Sequence, residues 1–216
     1  MKRTALVVLA IFVLLGVGGA TLQANNLIVN GSFESPSTGG GWNIYPNGSI
    51  PGWTNSVNGD GLELDNNPSV FGVAAPDGVQ SMELDGNTFD AASQTVSGLT
   101  VGTVYTLSWY YGDRPGSGPQ QMNVYVDPGA AFTGTNLMAT DFGTGTYGSL
   151  TWFSNSITFD ATAATETLTF DALNVGGAPA VGNEIDAVTL TPEPASILLL
   201  GTGFIGLAGA LMRRKR

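Results

Sequence analysis

Across residues 25–191, apolar positions recur at every second residue in short runs, and Gly, Pro, Asn and Asp separate the runs. Such alternation marks a strand with one buried face, because successive side chains of a strand point to opposite sides. The clearest run is 105–111, where Tyr105, Leu107, Trp109 and Tyr111 share one face and Thr106, Ser108 and Tyr110 the other. This run is expected to be central to the core. Further strands are expected at 26–30, 53–55, 62–64, 80–84, 93–96, 122–127, 137–140, 152–159, 167–172 and 184–190. The segments Asn58-Gly59-Asp60-Gly61 and Asp65-Asn66-Asn67 read as turns. No stretch of the body keeps a helical period. Many short strands at regular spacing predict an all-β fold, an antiparallel jelly-roll sandwich.

The two ends follow another pattern. Lys2 and Arg3 precede an apolar stretch at 5–17 that closes on Gly18, Gly19, Ala20 and Ala24, the layout of a secretory signal peptide over 1–24. At the other end Pro192-Glu193-Pro194 leads into an unbroken 18-residue apolar run, 195–212, and then Arg213, Arg214, Lys215 and Arg216. A helix rising ~1.5 Å per residue crosses most of a ~30 Å hydrocarbon core over that length. The terminal cations hold their end on the cytoplasmic side, so the body, 25–191, is expected beyond the inner membrane. With its three parts in order, the tail 192–216 resembles the PEP-CTERM sorting signal. That resemblance implies recognition of Pro192, Glu193 and Pro194 by an exosortase and release of a membrane-anchored precursor. The body then reaches the cell surface or extracellular matrix of an exopolysaccharide-producing Gram-negative bacterium.

Charge narrows the function. The chain carries 7 Lys and Arg against 17 Asp and Glu. Two cations lie in the N-terminal segment and four in the last four positions, so Arg114 faces 16 acids alone and the body's net charge is −15. Such a surface repels nucleic acid and attracts divalent cations. Cys and His are absent, which removes disulfides, thiolate and imidazole metal sites and the Ser-His-Asp triad. Carboxylate chemistry is what remains, as in glycosidases with two carboxyls ~5 to 9.5 Å apart across a cleft. No such pair is recognisable, and a non-catalytic protein is expected.

Two sets of residues stand out as candidates. Strict alternation in 184–190 puts Asp186 on the face of Val188 and Leu190, the face expected to be buried. A buried carboxylate needs a partner; backbone N–H donors or an oxygen-ligated calcium would serve equally. The aromatics Trp42, Tyr45, Trp53, Tyr110, Tyr125 and Trp152 fall on outward or loop positions and could stack on a sugar. Trp53 and Trp152 also read as core.

A second resemblance rests on NLIVNGSFE (26–34), Gly52-Trp53, SMELDG (81–86), ASQTVSGLTVGTVYTLSWYYG (92–112) and EIDAVTL (184–190), in that order. The body is similar to the DUF642 group of galactose-binding-like jelly rolls and to related carbohydrate-binding modules of the choice-of-anchor type. The resemblance implies an ion, commonly calcium, joining the first strand to the last, with Asn30, Glu34 and Asp186 at that junction. It also implies association with extracellular polysaccharide. A purely structural or adhesive surface component and a carboxylate-based glycoside hydrolase or lyase are the other readings.

Overall fold

The computed structural model describes residues 25–57 and 61–193. The expected signal helix, the membrane helix at 195–212, Pro194 and the turn residues Asn58 to Asp60 lie outside the described residues. No helix among the described residues is long and apolar enough to cross a membrane.

The alternating runs form strands β1 (Trp42–Tyr45), β2 (Thr54–Asn55), β3 (Leu62–Asn66), β4 (Gln80–Glu83), β5 (Ala91–Ser97) and β6 (Val104–Asp113). They continue with β7 (Gln120–Pro128), β8 (Leu137–Gly143), β9 (Thr151–Asp160), β10 (Thr165–Leu173) and β11 (Glu184–Pro192). One short helix, α1 (Asn67–Val70), interrupts them. The strands make an all-antiparallel sandwich of two sheets, one ordered β1-β3-β4-β11-β6-β9 and the other β2-β5-β10-β7-β8.

The inward positions of β6 behave as the alternation requires. Tyr105, Leu107, Trp109 and Tyr111 are all buried. Between the sheets the rings of Phe33, Trp53, Phe170 and Trp109 form a column, with successive centroids 5.2, 6.1 and 5.7 Å apart. Offset and edge-on contacts of this kind add ~0.5–1.5 kcal/mol each beyond the area they bury. Trp53 is 1% exposed and belongs to this column, which rules it out as a sugar-stacking side chain.

Three expectations fail. Residues 26–30 are not a strand, because their backbone groups are divided between the two sheets. Leu27 N–H donates to Leu190 O, while the Gln94 amide clamps both Val29 N and Val29 O. Residues 42–45, read as loop, pair with β3 instead. Asp65-Asn66-Asn67 is the end of β3 and the start of α1, with Asn66 Oδ1 accepting from Ser69 N at 3.3 Å as its cap.

The most consequential departure is in β11. Its register against β6 shifts between Asp186 and Thr189, a β-bulge, and Ala187 takes φ +52°. An inserted residue reverses the inside–outside sense of everything beyond it. Asp186 therefore pairs with Tyr110 on the outer face, while Val188 and Leu190 point inward. Asp186 does not share their face. Gly31 packs on this bulge, and a Cβ there would collide with Val188 O, so only glycine fits.

Candidate functional site

Directly paired residues of antiparallel strands point to the same side of a sheet. The register thus sets Ile44, Glu63, Glu83, Glu184, Gly112 and Trp152 in one row across the outer face of the six-stranded sheet. The neighbouring row holds Trp42, Asp65 and Ser81. Each acid alternates along its strand with an inward apolar neighbour: Leu62, Leu64, Met82 or Ile185.

These acids face outward and are nevertheless buried. Gly86 lies against Glu63, where a Cβ would stand 2.8 Å from that of Glu63. Gly182 N–H donates to Glu83 Oε1 at 2.6 Å, and Arg114 pairs with Glu83 Oε2 while its guanidinium lies 5.1 Å above the Phe71 ring. Glu184 Oε2 accepts from Ser81 Oγ at 2.6 Å. Both oxygens of Asp65 and Glu184 Oε1 have no hydrogen-bond partner. Desolvation, then the neighbouring carboxylates, pushes Glu63 up to about 8 and Asp65 up to about 7; burial also raises Glu83, and raises Glu184 strongly. Arg114 opposes these shifts throughout.

The cluster opens to solvent through a cavity of about 280 Å³ lined by Trp42, Ile44, Glu63, Asn87 and Arg114. Trp42, 62% exposed, forms the wall nearest water. On the far side of the row the Trp152 ring crosses Gly112, which has no Cβ to obstruct it, and its Nε1 is buried without a partner. A second, more open groove of about 210 Å³ on the same face runs past Tyr110, Ser108, Ser154 and Ser156.

Of the aromatics singled out in the sequence, Trp42, Tyr110 and Trp152 therefore share this face, with Trp152 half-buried. Tyr125 lies on the outer face of the other sheet, its ring 5.3 Å from Phe132 and its hydroxyl accepting from Asn123 Nδ2. Tyr45 packs partly into the core and donates to Ser37 O.

The junction of the N-terminal segment with β11 lies beside this face. Glu34 Oε1 accepts from Val79 N and Gln80 N, both at 2.7 Å, and Asp186 from Asp77 N at 2.8 Å and Ala187 N at 2.6 Å. Burial, with the charges of Asp77 and Glu34, pushes Asp186 up to about 8 against those N–H donors. Asn30 stands apart from them: its amide is spent bracing Ser35, Nδ2 to Ser35 O at 2.6 Å and Oδ1 from Ser35 N at 3.1 Å. At the chain's other end, Pro192 pairs with Tyr105 in the sheet, and Glu193 donates its N–H to Val104 O and accepts from Thr106 Oγ1.

Residues 26–191 match the family described as a protein of unknown function, DUF642. The chain belongs to the DUF642 family. Residues 190–216 match the PEP-CTERM protein-sorting motif, so this DUF642 domain is followed directly by a sorting signal. Halomucin from Haloquadratum walsbyi is similar, at 29% identity over 194 residues. The match covers 85% of this chain and 2% of that protein, so the chain spans about one fiftieth of its relative. Among solved structures, the K1 cleaved adhesin domain of Lys-gingipain from Porphyromonas gingivalis W83 is similar, with a TM-score of 0.51 and 16% identity over 71% of this chain and 98% of that one. The K2 domain of the same protein gives 0.50 and 16%, over 74% and 95%. The carbohydrate-binding module TmCBM61, in complex with β-1,4-galactotriose, gives 0.46 and 18%, over 79% and 100%. The adhesin domains share the sandwich fold with this DUF642 domain.

Proposed function

We propose that this protein is an exported, non-catalytic surface or matrix component that holds polysaccharide on the outer face of its six-stranded sheet. The observation that carries the proposal is the cavity where the exposed Trp42 ring stands beside Asn87, Glu63 and Arg114. A flat ring for the apolar face of a sugar, with donors and acceptors beside it for the hydroxyls, is the chemistry such recognition needs. The carboxylates do not supply a hydrolase pair of the usual kind, since they lie side by side on adjacent strands rather than across a cleft.

The sorting motif supports the rest of the reading. A signal sequence at 1–24 starts export, the apolar run 195–212 holds the precursor in the inner membrane of a Gram-negative bacterium, and an exosortase acts at Pro192 to Pro194. At the junction Glu34 and both oxygens of Asp186 take backbone N–H groups and Asn30 spends its amide on Ser35, so a structural calcium there would share Glu34 and Asp186 with those donors. The similarity to adhesin domains favours a second reading, adhesion without glycan affinity. Co-sedimentation with the producing organism's exopolysaccharide separates the two. Trp42→Ala is expected to lower retention at least tenfold with an unchanged melting midpoint; equal retention by both chains, or none by either, rejects the polysaccharide site.

A further inference from the structure

We propose that Glu63, Asp65 and Glu83, with Glu184 behind them, form a divalent-cation site of the oxygen-only kind that suits calcium. One ligand atom from each of Glu63, Asp65 and Glu83 lies within 4.8 Å of the others. Oxygens held by a single calcium at ~2.3–2.6 Å are at most ~5 Å apart, so the three already fit within one coordination sphere.

The independent sign is Asp65. It is fully buried, and no N–H or hydroxyl group donates to either of its oxygens or to Glu184 Oε1; the polar neighbours of Asp65 are the carboxyls of Glu83 and Glu184. Buried polar groups in folded proteins are almost always satisfied. This same chain shows how it satisfies a buried acid elsewhere: Asp127 takes the backbone N–H groups of Thr133, Gly134, Thr135 and Asn136. Asp65 has no such donors, and its lone pairs point into a group of like charges.

Charge leads to the same place. Four carboxylates share one guanidinium, which is already committed to Glu83. A divalent ion reduces the excess from three negative charges to one, whereas protons do so only by neutralising the acids. Glu63 opens onto the Trp42 cavity and gives the ion a route from solvent. Asp186, the next outward residue along β11, is not among the acids whose ligand atoms approach one another here. The site stands whether or not the cavity binds sugar.

The test uses the full-length chain in a non-ionic detergent, stripped with EDTA, with thermal melts at pH 7.5 before and after millimolar calcium. Asp186→Asn, and separately Glu34→Gln, removes any contribution from the N-terminal junction. In both backgrounds calcium is expected to raise the midpoint by several degrees. Adding Asp65→Asn abolishes that rise while lifting the metal-free midpoint, since a neutral amide replaces a buried carboxylate. Adding Glu63→Gln instead weakens the apparent calcium affinity at least tenfold. The proposal is overturned if neither background responds to calcium, magnesium or manganese, or if the response survives Asp65→Asn and Glu63→Gln. The first of these outcomes would make the four acids a proton-sharing group.

Discussion

Arg114→Met removes the only cation among the described residues, and the cost should depend on pH in a calculable way. Two contributions are lost. The contact with Phe71, at 5.1 Å, is worth ~0.5–1 kcal/mol and does not titrate between pH 5 and 8. The pairing with Glu83 does respond to pH through its neighbours. Removing one partner of a buried ion pair costs up to ~3–5 kcal/mol when the other charge is stranded, but a cluster that can take up protons escapes most of that. Glu63 and Asp65 have folded pKa values raised to about 8 and about 7 from 4.5 and 3.8. An acid with a raised folded pKa binds more protons folded than unfolded, so its penalty appears as pH rises above the unfolded value and is complete above the folded one. At pH 5 Glu63 and Asp65 are protonated and leave Arg114 little to neutralise besides Glu83; by pH 8 Asp65 is charged and Glu63 about half so. The expected loss is ~1 kcal/mol at pH 5 and ~3–4 kcal/mol at pH 8, or ~2–4 °C against ~10 °C in the midpoint. Urea and thermal melts of both chains in EDTA at the two pH values measure it. Equal losses at pH 5 and pH 8 would refute the account of the cluster as a group of titrating, mutually repelling acids.

Asp127, held down at about 2 by the loop N–H groups against the upward push of burial, gives the opposite pH signature. Its contribution is present above ~4 and is lost as pH falls through 2, so Asp127→Asn should cost ~1–2 kcal/mol at pH 7 in urea melts and about a third of that at pH 2.5. Thr106→Val removes the hydroxyl that donates to Glu193. It should change stability by under ~1 kcal/mol while speeding loss of the C-terminal tail in a pulse–chase experiment, because the sorting motif is then less tied to β6; an unchanged or slower rate counts against that tie.

Much of the sandwich was legible because period-two alternation is a local property. Tyr105, Leu107, Trp109 and Tyr111 point inward as read, and the run 184–190 became β11. What failed depended on distant partners. The segment 26–30 carries strand-like residues, but the sheets compete for its backbone, and nothing in five residues announces Gln94 or Leu190 as the competitors. Trp42 and Tyr45 fall on outward or loop positions outside every expected strand, although alternation in the four residues 42–45 is already present and needs only β3 as a neighbour.

The acidic face was more legible than its omission suggests. Leu62-Glu63-Leu64-Asp65, Met82-Glu83 and Glu184-Ile185 each place a carboxylate one step from a core residue, so three strands presented acids to one side. What alternation lacks is strand order, and only the adjacency of β3, β4 and β11 turns four ordinary solvent-facing acids into one crowded group. The same adjacency explains why the parity of Asp186 matters. Had the bulge at Ala187 been absent, strict alternation from Leu190 would have turned Asp186 into the core, opposite Tyr111, and Glu184 with it. With the extra residue, both carboxylates stand on the outer face while Val188 and Leu190 keep their places inside. Two breaches of local rules, a left-handed alanine in β11 and a set of buried acids with unmet lone pairs, therefore lie on one face and share one strand. Local rules are broken most often where a protein binds something, and here the first breach is the geometric condition for the second.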